Sequence, residues 1–220
     1  MPSPPADDDD DPVRGDVEDA DSVFRTAVTV ELSLGFVAIA LGWLTEVDVR
    51  QWLPSLALDQ LAAIGSSILW GLAAALPMLA VVELVERSDW APLRELRELD
   101  RLPIVATLLR LRPLELVTIS IAAGVGEELL LRGWLLGWLV DPLESATPLV
   151  IASGLLVSSI AFGLMHPVTP AYIVLASLIG LYLGGIVLWT GDLLIAIVAH
   201  ASYDAAHLLL ARRANRKSAT

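Results

Sequence analysis

The sequence predicts an all-α, polytopic transmembrane helical bundle of about six spans with an added interfacial amphipathic helix. Three observations lead there. Hydrophobic residues make up 55% of the 220-residue chain and mean hydropathy is +0.67, well above the balance of soluble domains. Charged residues amount to 18% and are clumped. The 47 residues from Ser145 to Gly191 contain no Asp, Glu, Lys or Arg, a run too long for a soluble core helix.

Taken in order, residues 1–24 read as an acidic, disordered and solvated tail, because nine of the 26 acids fall between Asp7 and Asp21. The tail lacks the basic and apolar regions of a signal peptide, so insertion relies on the first span. Residues 25–86 hold two N-terminal spans, approximately 26–45 and 60–83, each near the length a bilayer requires. Residues 87–113 are Arg-rich, with Trp90, Leu93, Leu96, Leu99 and Leu102 at mostly helical spacing, and read as a segment lying at the interface. Residues 114–211 supply four more spans, approximately 114–139, 149–166, 171–190 and 193–211, and 212–220 form a basic tail. Gly133 with Gly137, and Gly180 with Gly184, are pairs that let helices approach closely.

Cytoplasmic loops carry an excess of Lys and Arg. Arg87, Arg94, Arg97, Arg101, Arg110 and Arg112 share one loop, and Arg212, Arg213, Arg216 and Lys217 follow the last span. An even number of spans separates these regions, so a cell-membrane, multi-pass protein with both termini cytoplasmic is expected. The net charge of −12 argues against nucleic acid as a partner, leaving the lipid bilayer and a membrane-associated protein or peptide. The chain has no cysteine, which excludes disulfides, thiolate metal ligands and a cysteine nucleophile.

An ionisable group at mid-span costs about 2.5–3.5 kcal/mol on insertion scales, so each needs a reason. The third span carries Glu127, Glu128 and Arg132, the fourth ends on His166, and the sixth carries His200, Asp204 and His207. Glu128 and Arg132 are spaced for a pair along one face, acid first. Glu127 is turned about 100° away by the helical period and is free to face something else. A carboxylate in a low-dielectric site is suited to taking a proton from water, and nearby imidazoles could hold that water, ligate a metal or donate to an oxyanion.

The motifs are Glu-Glu-x-x-x-Arg at Glu127 to Arg132, Phe-x-x-x-His at Phe162 to His166, and His-x-x-x-Asp at His200 to Asp204. In this order on successive helices they resemble the CAAX-prenyl protease and bacteriocin-processing (CPBP) family of intramembrane endopeptidases, over about Leu114 to Leu210. The resemblance implies an intramembrane endopeptidase that hydrolyses a peptide bond in a membrane-associated, CAAX-type protein with a glutamate-activated water. Glu127 would activate the water, with His166 helping to hold it. Glu128 and Arg132 would form a supporting ion pair, Phe162 would wall the site, and His200 with Asp204 would lie opposite, near the scissile carbonyl oxygen. Asp204 departs from the family's alternative Asn; an ionised Asp only accepts hydrogen bonds, which suits orienting His200.

For a cofactor, the choice is none or zinc: Glu127, His166 and His200 could complete an open zinc site, but no close HExxH-type pair is present and no tightly bound metal is favoured. Depth is a second difficulty, since His166 lies near one end of its span and His200 near the opposite end of its own; tilt, or a fourth helix continuing past His166, must reconcile them. Simpler readings stand beside these. The Glu128 and Arg132 pair can serve packing alone, His207 reads as a packing histidine, and Glu31 either pairs with a site residue or sits near an interface. Two other classes remain open: a non-proteolytic family member acting as a membrane binding or immunity partner, and a small transporter.

Overall fold

The computed structural model describes residues 12–55, 57–88, 96, 102–141 and 143–218. Among these residues all regular structure is helical. α1 spans Pro12–Thr45, α2 Leu61–Arg87 and α3 Pro103–Leu108. α4, Pro113–Glu128, runs on through a π-helical stretch, Leu129–Leu136, into α5, Gly137–Val140. α6 spans Pro148–Leu164, α7 Pro170–Thr190 and α8 Leu193–Ser218. Helix α1 begins within the segment expected as a tail, and residues 89–95 and 97–101 of the Arg-rich stretch expected at the interface lie outside the described residues.

The starts of the core helices are written in the sequence. Proline at the first helical position suits a group that would be unpaired anyway, and Pro113, Pro148 and Pro170 occupy that position in α4, α6 and α7. Before α4, Glu115 reaches back to accept from the Arg112 backbone N–H at 2.7 Å. Before α6 and α7, the Thr147 and Thr169 hydroxyls accept from the Val150 and Tyr172 N–H groups. Helix α7 stops at Gly191, whose φ of 67° is a conformation glycine adopts without penalty.

Four helical segments, Ala20–Thr45, Leu58–Val85, Pro170–Thr190 and Leu193–Lys217, are long and apolar enough to cross a membrane, and Pro148–Leu164 is a shorter apolar helix. The outward faces are apolar, as lipid contact demands: Phe36, Leu76 and Leu149 are exposed, with Trp43 at 82% and Trp189 at 88% near the ends of α1 and α7. Tryptophan is enriched at membrane interfaces, and these two belong to the same end of the bundle. That end is closed by the chain after α1, where Val47 and Val49 are buried and the Leu193 N–H donates to the Trp52 carbonyl at 2.7 Å. At the other end the Arg212 Nε–H donates to the Leu111 carbonyl at 2.8 Å, tying α8 to the approach of α4.

Helix α8 is central, packed on α2 and α4, while α1 lies against α4 and α6 against α7. Met78, Leu183, Val187, Leu193 and Ala196 join α2, α7 and α8 in one buried cluster. Lipid tails are as apolar as leucine, so helices associate through close packing rather than hydrophobic exclusion. Gly126 on α4 is such a contact: a Cβ there would overlap the backbone carbonyl of Glu31 on α1.

Candidate active site

Glu127 and Glu128 close α4, and the π-helical stretch begins one residue later. Such stretches recur at functional sites because they turn side chains out of the regular register. Arg132 lies inside it and still reaches back, Nη1 donating to Glu128 Oε1 at 2.7 Å while Nη2 donates to the Gly180 carbonyl of α7 at 2.9 Å. Both side chains are fully buried. The guanidinium carbon sits 4.6 Å above the Phe162 ring, a cation–π contact that strengthens where water is absent.

The same oxygen of Glu128 accepts from a second partner. His200 Nδ1 lies 2.9 Å from Glu128 Oε1, and its Nε2 lies 3.3 Å from Asp204 Oδ2, one turn further along α8. The expected ion pair is present, and Glu128 also holds the imidazole of His200, a link the helical spacing did not disclose. Asp204 lies where the motif puts it, against His200.

His166 lies just past the end of α6. Its Nδ1 is 2.9 Å from the Phe162 carbonyl; a carbonyl only accepts, so Nδ1 carries the hydrogen, and in the neutral ring Nε2 is an acceptor. That Nε2 faces Glu127 Oε1 at 3.8 Å. The other oxygen of Glu127 is buried without a partner among the described residues. Phe162 lies between the two histidines, with ring centroids 5.0 Å from His166 and 5.6 Å from His200. The Tyr172 ring meets His166 edge-on at 5.9 Å.

The depth difficulty is thereby resolved, and not by a longer fourth helix. Helix α6 ends at Leu164 after 17 residues, about 25 Å at 1.5 Å per residue, so it stops inside the bundle and its final turn delivers His166 to the level of His200. Glu127, His166, His200 and Asp204 surround one locus. His207 stands apart, stacked on Tyr203 at 6.1 Å. His166 and Asp204 keep side-chain exposures of 25% and 28%, so the locus opens past them while Glu127 lies deeper.

Zinc does not fit this donor set. Both ring nitrogens of His200 are engaged by carboxylate oxygens, leaving no lone pair for a metal shared with Glu127 and His166. Among the described residues no group of three His, Cys, Asp or Glu side chains is disposed to hold an ion.

The sequence model of a family described as Type II CAAX prenyl endopeptidase Rce1-like matches residues 109–206, and all three motifs fall within that segment. Over those residues, somewhat under half of the chain, the protein is similar to that family. Neither the curated proteins nor the solved structures offer a significant match. The Rce1-like core comprises α4 to α7 and the first half of α8, while α1 and α2 lie outside it. That family is one of CAAX prenyl endopeptidases, so the similarity agrees with the expectation drawn from the three motifs at that level. Sequence reasoning missed the Gly180 carbonyl, Tyr172 and the bond from Glu128 to His200. Gly180 had appeared only as half of a helix-packing pair, and a backbone acceptor leaves no signal of its own in a sequence.

Proposed function

We propose that this protein is an intramembrane endopeptidase that cleaves a CAAX-type, membrane-associated protein with a water activated by Glu127. The observation that carries the reading is the facing pair of Glu127 Oε1 and His166 Nε2, 3.8 Å apart, with the histidine tautomer fixed by the Phe162 carbonyl. Two acceptors at that separation are bridged by one water that donates a hydrogen to each. Such a water presents its oxygen lone pair outward.

As it attacks the scissile carbonyl carbon, its proton passes to Glu127 and negative charge develops on the carbonyl oxygen. The Nε2 edge of His200, steadied by Asp204 and by Glu128 behind it, is the donor proposed to meet that charge. Glu127 then returns the proton to the departing amine, leaving a new carboxylate and a free amino terminus. Phe162 and Arg132 form the packed wall that keeps the two imidazoles at one level. The cytoplasmic placement of both termini belongs to the same reading, supported by the Arg-rich ends of the bundle.

The test is cleavage of farnesylated peptides ending in CAAX-type tripeptides by the purified full chain in vesicles, with release of the tripeptide measured by mass spectrometry. The wild type is expected to cleave, Glu127→Gln to lose about 10²–10⁴-fold in kcat, and His166→Ala to fall similarly. A folded Glu127→Gln protein that cleaves at the wild-type rate would overturn the mechanism.

A further inference from the structure

Helix α1 lies outside the Rce1-like core, yet it brings a carboxyl group into the site. The approach is set by backbone. A Cβ built on Gly35 would lie 3.7 Å from the Gly126 Cα, and one on Gly126 would overlap the Glu31 carbonyl. The two helices therefore touch one residue before Glu127, and no side chain separates them there. The Glu31 carboxyl comes within hydrogen-bonding reach of the Glu127 carboxyl, while the charges of His200 and Asp204 on α8 also act on it. Oε2 of Glu31 and Oε2 of Glu127 are both buried, and neither has a hydrogen-bond donor among the described residues.

From this geometry we infer that Glu31 is the carboxyl partner of Glu127, holding it through a carboxyl-to-carboxyl hydrogen bond and so fixing its aim at His166. A bond between two carboxyl groups contains one proton, since an ionised carboxylate only accepts. The shared proton can sit on either carboxyl; when it sits on Glu31, Glu127 is the acceptor that takes a proton from water in the reaction proposed above, on which the kinetic part of this inference rests. Glu31 is then a positioning residue. It belongs to an element the family segment does not include, and it accounts for an acidic group placed within a membrane span.

Substitution at Glu31 is well suited to a test, because its other side borders a cavity of about 490 Å³ lined by Ser22, Thr26, Val30, Ile104 and Leu108. A smaller side chain extends a space already present. The full chain carrying Glu31→Gln or Glu31→Ala is assayed in vesicles with the farnesylated peptide. Glutamine, whose amide N–H donates where the acid O–H did, is expected to keep kcat within about threefold. Alanine is expected to lower kcat about 10²-fold, the scale of a misplaced reacting group, with KM unchanged. Wild-type kcat in folded Glu31→Ala, or Glu31→Gln as slow as Glu31→Ala, overturns the inference.

A second readout needs no substrate. In infrared spectra of the same vesicles, the carbonyl stretch of the protonated carboxylic acid is expected to be lost or shifted in both Glu31→Gln and Glu127→Gln. A spectrum unaltered by Glu31→Gln overturns the pairing even where the wild type cleaves peptide. The expected spectral changes support the pairing even where no peptide is cut, and the failure then belongs to the protease reading alone.

Discussion

At the scale of single residues, the site is a chain of carboxylates and imidazoles in which each imidazole nitrogen has a stated task. Glu128 accepts from Arg132 and His200 through one oxygen, so removing its charge strands two buried groups at once. Breaking a buried pair by deleting one partner costs about 3–5 kcal/mol, because the remaining charge is left uncompensated. Arg132→Leu is accordingly expected to lower stability by about that amount, read as the unfolding midpoint in detergent. Asp204 has a different function: with Oδ2 3.3 Å from His200 Nε2, it orients rather than anchors. Asp204→Asn keeps the shape and an acceptor oxygen, and is expected to retain kcat within about tenfold, whereas Asp204→Ala loses about 10²-fold. An alanine variant as active as the wild type would remove Asp204 from the site. Since His200 has no free nitrogen for zinc, incubation with a strong zinc chelator such as phenanthroline is expected to leave cleavage unchanged. Loss of activity restored by added zinc would contradict that assignment of its nitrogens.

At the scale of helices, the precision of the site comes from where elements stop and how closely they cross. Helix α6 ends early, and the turn that follows has to fold back under α7. Gly163 makes that possible, because a Cβ there would collide with the Ile173 carbonyl and the Ser177 hydroxyl. Gly163→Ala therefore forces α6 and α7 apart beside His166. It is expected to cost about 1–3 kcal/mol, as overpacking does, and to reduce cleavage more than its stability loss explains; measuring both on one preparation separates the effects. Much of this level was legible in advance. Charge-free runs and prolines marked the ends of the core helices, and the spacing of Glu128 and Arg132 gave their pairing. The π-helical stretch was not legible, since it leaves the hydrophobic pattern intact while altering the backbone bonds. Nor was the length of α6 decisive on paper, because apolar residues continue through Met165 and only the turn at His166 ends the helix. The proximity of Glu31 to Glu127 is not legible for a related reason: the two residues are remote in sequence, and only the close approach of α1 to α4 brings them together.

For the whole molecule, function requires a hydrolytic site at membrane depth that a substrate and water can reach from one side. From His200 to Arg212 is about 18 Å along α8 at 1.5 Å per residue, and Arg212 is bonded to the Leu111 carbonyl at the basic end of the bundle. The site therefore lies well within the bundle, opening past His166 and Asp204, the more exposed of its side chains. The opposite end is plugged by the buried Val47 and Val49, so water enters most directly from the basic end. In the proposed orientation, which the excess of Lys and Arg at that end supports, it faces the cytoplasm, where a CAAX-type C-terminus would be presented. The absence of cysteine makes this directly testable, since one introduced thiol is the only target for a maleimide. A cysteine replacing Arg213, exposed on the last turns of α8, is expected to react with a membrane-impermeant maleimide in inside-out vesicles and not in intact spheroplasts. A cysteine replacing Thr190, exposed at the end of α7, is expected to show the reverse. Were both labelled from the same face, α8 would not cross the bilayer. Were the pattern inverted, the bundle would cross but its site would open away from the cytoplasm, and a cytoplasmic substrate would be excluded.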